Sequence, residues 1–252
     1  MAKEYDYKVK SLQKAIEVLN CFTEKPTWSV TELSKRLDLY KSNVFNILQT
    51  YKMMHYLEQN SESDRYHLGH GIFALSRSLG DTFSITRIAI PYMQALANET
   101  NERIYLAIPD EDEIIYLESM YPVQSIKLMR NILGERARMY CTAIGKAILA
   151  YLPENKINDF ASRDFVQYTE NTITNTEDLI AELSRIRLQG YSVDNMEHEF
   201  GIRCVAVPIF DRYSKVCAAI SVSGSSLEID DDRIEKLALL VKKQIIEIEK
   251  RL

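Results

Sequence analysis

Apolar residues recur along this chain with two periods, and the period changes where turn-forming residues stand. Over 11–22, Leu12, Ala15, Ile16, Val18, Leu19 and Phe22 fall at helical spacing, and Lys25-Pro26 ends the run. Trp28-Ser29-Val30-Thr31-Glu32-Leu33 carries a capping box: Ser29 can accept the Glu32 amide while the Glu32 carboxylate reaches back to the Ser29 amide. A short second helix to about Leu37 follows. After the turn Asp38-Leu39-Tyr40, Val44, Ile47, Leu48 and Tyr51 make the apolar stripe of a third helix. Lys41, Ser42, Asn43, Asn46, Gln49 and Thr50 are left mainly on its open side. Residues 56–59 and 65–68, around the polar turn 60–64, read as a hairpin, the wing. Between glycines, 69–80 returns to a helical pattern and suits a linker helix.

The remainder alternates helices with β-rich runs. A helix is predicted over 85–98, with Pro91 as a kink or near-start, then an antiparallel hairpin of 103–108 and 114–118 around Pro109-Asp110-Glu111-Asp112. A further strand over 126–130 precedes helices at 142–152 and 177–189, the second with Gly190 where a C-cap belongs. Runs 203–210 and 216–223 form another hairpin, and 232–252 a last amphipathic helix. The set predicts an α+β fold with an antiparallel sheet behind a winged helix-turn-helix.

Charge changes this picture. The 252 residues, 46% hydrophobic and 27% charged, leave room for two domains, and the formal charge of −5 argues at first against a nucleic-acid partner. Residues 1–80, however, carry 11 Lys and Arg against 9 Asp and Glu, and 81–252 carry 20 against 27, so a +2 segment precedes one of −7. An acidic whole can still present a locally basic face to a polyanion. We therefore divide the chain into a DNA-binding domain at 1–68, a linker helix at 69–80 and a sensing domain at 81–252. The polar start and the lack of a long apolar run predict a cytoplasmic protein without a membrane partner. Cys21, Cys141, Cys204 and Cys217 form no CxxC pair and read as reduced thiols.

The third helix offers the chemistry of base reading. Amide and hydroxyl side chains of Ser42, Asn43, Asn46 and Gln49 can pair with base edges in a major groove, Lys41 can meet phosphate, and Arg65 from the wing is a further expected DNA contact. In the second segment, Ser221 and Ser223 stand two apart on a predicted strand, so their hydroxyls share one face. Cys141-Thr142-Ala143-Ile144-Gly145-Lys146 opens a helix with small residues, where free amides and the helix dipole favour an anion. Asp194, Glu197, His198 and Glu199 fall in a predicted loop that can lie over the sheet.

Two other chemistries compete. Cys204 or Cys141 with His198 as base would make a cysteine-dependent hydrolase fused to a winged helix, although no familiar catalytic signature surrounds either cysteine. Cys141, Asp194, His198 and Cys204 could hold zinc if the fold brought them together, but their spacing is no known zinc signature. No cofactor motif such as GxGxxG occurs. A winged helix that binds only protein is a third possibility.

The quoted motifs carry a resemblance. Val9 to Ala15, Thr31-Glu32-Leu33-Ser34, Lys41-Ser42-Asn43-Val44 and Tyr66-His67-Leu68-Gly69 resemble, in order and spacing, the N-terminal domain of the isocitrate lyase regulator (IclR) family of bacterial transcription factors. Asn46 departs from the pattern, since the family often places Arg after the aromatic residue, so no operator sequence is carried over. Gly134-Glu135-Arg136, Thr142 to Ala147, Glu199 to Ala206 and Ala219 to Gly224 are similar to the family's effector-binding domain. The resemblance implies a GAF-like fold that binds a small organic acid or sugar acid. It implies amides near Ala143 and Ile144 and hydroxyls of Ser221 and Ser223 for a carboxylate, with Asp194 and Cys204 on polar parts of the ligand. Ile126, Met129, Ala137 and Ile202 would form the apolar wall. It further implies a homodimer or homotetramer on a pseudo-palindromic double-stranded operator, with the linker helix supporting dimerisation.

Overall fold

The computed structural model describes residues 8–82, 84–123, 132–161 and 164–252, and they divide into two compact units meeting in sequence at Thr82 and Phe83. In the first, α1 (Lys10–Asn20), α2 (Val30–Leu37) and α3 (Lys41–Met53) precede the strands β1 (Leu57–Gln59) and β2 (Tyr66–Leu68), then α4 (Gly71–Thr82). The capping box forms, with Glu32 N–H donating to Ser29 Oγ at 3.3 Å and Ser29 N–H donating to Glu32 Oε2 at 2.8 Å. Asp38, in the left-handed region at φ 52°, ends α2 and turns the chain into α3. The apolar stripes meet in one core of Val18, Phe22, Trp28, Leu33, Val44, Leu48, Leu57 and Tyr66. Trp28 bridges to Tyr66 and its indole N–H donates to the Cys21 carbonyl at 2.8 Å, which ties the hairpin to the helices. At Gly69 a Cβ would lie 2.6 Å from the His55 carbonyl oxygen, so only glycine permits this close return of the chain after β2.

Among the described residues, the second unit is built on a six-stranded antiparallel sheet. Its strands are β3 (Arg103–Asp110), β4 (Glu113–Met120), β5 (Arg136–Arg138), β6 (Ser192–Asn195), β7 (Ile202–Phe210) and β8 (Val216–Ser225), in the order β5-β4-β3-β8-β7-β6. Alternation sorts the side chains. Ile104, Leu106, Val205, Val207, Ile220 and Val222 pack under α5 (Ser84–Thr100) and α9 (Asp231–Glu249). Tyr105, Ala107, Ala206 and Ala219 face α6 (Ala143–Leu149), α7 (Glu154–Ala161) and α8 (Thr176–Gln189) on the other side. α5 runs through Pro91, and Gly190 at φ 71° caps α8.

The structure departs from the sequence reading in several places. The predicted loop before Cys204 begins as an edge strand: Asp194 is the third residue of β6 and pairs with Cys204, rather than lying over the sheet. Four residues are too few to show a period of two. β5 and α7 were likewise not predicted, and the strand expected over 126–130 lies outside the described residues. The helix expected over 142–152 is shorter, its regular part ending at Leu149.

Candidate functional site

The first candidate surface is the open side of α3. Lys41, Ser42, Asn43 and Asn46 are exposed there, and helical spacing places Asn43 and Asn46 on adjacent turns of one face. Two aromatic side chains that the sequence reading did not single out share this surface: Tyr40, 82% exposed at the N-cap, and Phe45, 47% exposed. An exposed aromatic inside a stripe-free stretch was the available signal. Two predicted contacts have other work. The Gln49 amide donates to the Tyr66 hydroxyl at 2.8 Å and braces α3 against the wing. Arg65 donates to Thr27 Oγ1 at 2.9 Å, to the Thr27 carbonyl and to Glu32 Oε2 at 2.8 Å. In this structure the guanidinium is held against the capping-box carboxylate. Hydrogen bonds from Lys25 and the Ser29 amide, with Arg65 nearby, hold the Glu32 carboxyl down at about 2.

The second candidate site is a pocket of about 370 Å³ in the second unit. Every predicted ligand contact within the described residues lines it: Ala137, Ala143, Ile144, Asp194, Ile202, Cys204, Ser221 and Ser223. Ile126 and Met129 lie outside the described residues. Cross-strand register explains the convergence. Ser221 and Ser223 on β8 stand opposite Ala206 and Cys204 on β7, and Cys204 stands opposite Asp194 on β6. The Cys204 thiol and Ser223 hydroxyl are 3.1 Å apart. Thr142 caps α6 by accepting the Gly145 N–H at 3.1 Å, and the Ser192 hydroxyl donates to the Ala143 carbonyl at 2.6 Å, fixing the start of α6 over the sheet. Arg103, Tyr105 and Tyr116 also line the pocket. Sequence reading missed them because nothing in a single strand says which neighbour it will have.

The acid in this pocket has an unusual setting. Asp194 is 4% exposed and accepts the Glu197 amide at 2.7 Å. Burial, helped by the Glu197 carboxylate and opposed by Lys146, raises its carboxyl to about 7. Behind it, Lys146 is 1% exposed and donates to Glu197 at 2.5 Å and to Glu182 at 3.1 Å. Burial would lower the Lys146 ammonium, but the two carboxylates outweigh it and hold the group above its ordinary range. Thr169 and Thr172 hydroxyls donate to the Met196 and Glu197 carbonyls, both at 2.6 Å, and brace the turn that carries Glu197.

The competing chemistries find no support in this geometry. Among the described residues no group of three His, Cys, Asp or Glu side chains converges for a metal, so Cys141, Asp194, His198 and Cys204 do not assemble as a zinc site. Burial pushes the Cys141 thiol up to about 12 and the Cys204 thiol further, which suppresses the thiolate a hydrolase would need. His198 stacks on Tyr168, ring centroids 5.3 Å apart. A more open depression of about 500 Å³ is lined by Lys146, Glu182, Arg185, Glu197, Arg203 and Asp231 among others. These charges pair with one another, although Glu197 Oε2 and Arg203 Nε find no hydrogen-bond partner among the described residues. No helix among the described residues is long and apolar enough to cross a membrane.

Comparison with known proteins agrees with both halves. The IclR helix-turn-helix domain matches residues 11–61, and the bacterial transcriptional regulator IclR C-terminal domain matches residues 79–249. The HTH-type transcriptional regulator KdgR of Escherichia coli (strain K12) is 35% identical over 234 residues, covering 92% of this chain and 89% of that protein. The transcriptional repressor IclR of the same organism is 30% identical over 246 residues, 95% of this chain and 89% of that one. The crystal structure of Thermotoga maritima IclR superimposes with a TM-score of 0.82 at 31% identity, covering 96% of this chain and 98% of the other. The chain therefore belongs to the IclR family, as a DNA-binding transcriptional regulator with a C-terminal ligand-binding domain.

Proposed function

We propose that a small organic-acid or sugar-acid metabolite, bound in the pocket of the second unit, modulates binding of the first unit to a pseudo-palindromic operator in the cytoplasm. The supporting observation is the convergence of eight predicted contacts on one cavity. In this reading 1–68 reads DNA, 69–80 links, and 81–252 senses. Lys41, Ser42, Asn43 and Asn46 meet the duplex, whereas Gln49 and Arg65 hold the reading helix and wing in place. The ligand carboxylate sits near Ser221, Ser223 and the first amides of α6, and Asp194 and Cys204 take its polar remainder. A homodimer or homotetramer sets the spacing of two half-sites about 34 Å apart or a multiple of that. The ligand acts by binding two arrangements of the assembly with different affinity.

Selection of duplexes from a random pool, followed by fluorescence anisotropy across a salt series, tests the DNA half. Log affinity should fall against log salt with a slope of about −0.9 per phosphate neutralised. A salt-independent complex, or no duplex selected at all, would favour a winged helix that binds only protein.

A further inference from the structure

The floor of the pocket contains one row of side chains that crosses four strands. Arg103 on β3 pairs with Ser223 on β8, Ser223 with Cys204 on β7, and Cys204 with Asp194 on β6. All four line the cavity. Adjacent strands lie about 4.8 Å apart, so a cation and an acid mark the ends of a line on the order of 14 Å between Cα atoms.

Arg103 is unlike the other described arginines of this unit. Arg136, Arg138, Arg185, Arg203 and Arg233 each meet a carboxylate. Arg87, Arg187, Arg212 and Arg251 meet none but are exposed, where water serves. Arg103 is half-buried, lies beside the Tyr105 hydroxyl and, among the described residues, pairs with no carboxylate. A partly desolvated guanidinium without an anion is costly unless a ligand supplies one.

Several neighbours of Arg103 are hydrogen-bond donors, and the carboxylates Glu135 and Glu199 also line the cavity without forming an ion pair with it. Ser221 and Ser223 contribute hydroxyls and Cys204 a thiol. Tyr105 and Tyr116, in edge contact at 5.6 Å, contribute phenols that burial keeps protonated, the first raised to about 12 and the second higher. The far end is opposite in character. Asp194 there is backed by Glu197, 4% and 5% exposed, so a second negative charge would face two buried carboxyl groups.

We propose that Arg103 neutralises the carboxylate of the effector, and that the pocket selects monocarboxylates whose other end carries neutral hydroxyl or keto oxygens while rejecting dicarboxylates. This rests on the reading of the pocket as the effector site. The row orients the ligand, with its carboxylate against Arg103 and Ser223 and a distal hydroxyl donating to Asp194. Arg103 is thus a specificity-determining residue, and the cavity volume, near the small end for ligand pockets, suits a short chain or a single ring.

Calorimetric titration of the full-length protein tests this with hydroxy monocarboxylates of graded length, their primary amides and the corresponding dicarboxylates. The wild type should bind at least one monocarboxylate about 10- to 100-fold more tightly than its amide and its dicarboxylate. Arg103→Met should lose the preference for acid over amide, and Arg103→Lys, which restores a charge, should recover part of it. Circular dichroism and thermal melting establish that each variant is folded. If Arg103→Met keeps the full preference while Ser221→Ala plus Ser223→Ala abolishes binding, Arg103 is not the anion's partner, yet the pocket remains the effector site. If the wild type binds none of the monocarboxylates, or prefers dicarboxylates, the selectivity proposed here is wrong; binding unaffected by the serine pair overturns the pocket itself.

Discussion

The two units treat their polar side chains in opposite ways. On α3 the candidate reading residues Lys41, Ser42, Asn43 and Asn46 are exposed, and the polar groups that are tied up, Gln49 and Arg65, brace the domain. In the second unit Ser221, Ser223, Asp194 and Lys146 are between 1% and 4% exposed. DNA is met from outside by a surface that water solvates until contact. A small ligand must be taken out of water, so its partners are buried beforehand and must be satisfied or neutralised within the protein. The first site should therefore be separable from stability, and the buried charged groups of the second should not.

Lys146 gives that contrast its largest expected effect. Lys146→Met keeps the volume but strands Glu197, while Glu182 retains Arg185, and breaking such a buried pair costs about 3–5 kcal/mol. Urea denaturation followed by near-ultraviolet circular dichroism checks it; a loss below about 1 kcal/mol would mean that solvent already screens the cluster. Asp194 comes next, through pH. Its folded carboxyl titrates at about 7 against an ordinary 3.8, so the folded state holds the proton more tightly than the unfolded chain. Stability from this group is present below about pH 4 and is lost as pH rises to about 7, by up to about 4 kcal/mol. Asp194→Asn should flatten that part of the profile, with urea midpoints at pH 5 and pH 7.5 drawing closer than in the wild type. An unchanged difference would place the titration elsewhere, with Glu197, whose carboxyl burial also raises, the next group to examine. For the first unit, Asn43→Ala plus Asn46→Ala should cost roughly 2–3 kcal/mol of affinity for a selected duplex and nothing measurable in unfolding midpoint. A matching loss of stability would erase the contrast.

How much of this was legible in the sequence follows from the range of the interactions. The winged helix is built from local signals: the Ser29 and Glu32 capping box, the stripe on α3 and the wing turn all lie within a few residues. The ligand pocket is not local. Alternation placed Ser221 and Ser223 on one face, but the row from Arg103 to Asp194 depends on β3 lying beside β8 and on β6 closing the edge. The predicted contacts Asp194 and Cys204 came from the family resemblance, whereas Arg103, Tyr105 and Tyr116 emerged only with the register. Arg65 shows the reverse case: its charge suggested a DNA contact, and the fold also gives it Glu32, thirty-three residues away.

The most direct test of the account is the ligand response of a selected operator duplex, measured by anisotropy with and without the monocarboxylate panel, for the wild type and for Ser221→Ala plus Ser223→Ala. The account predicts that at least one monocarboxylate shifts operator affinity of the wild type, while the double variant binds the duplex as tightly as the unliganded wild type and no longer responds. A double variant that still responds, or a wild-type protein whose operator affinity no member of the panel changes, would contradict it.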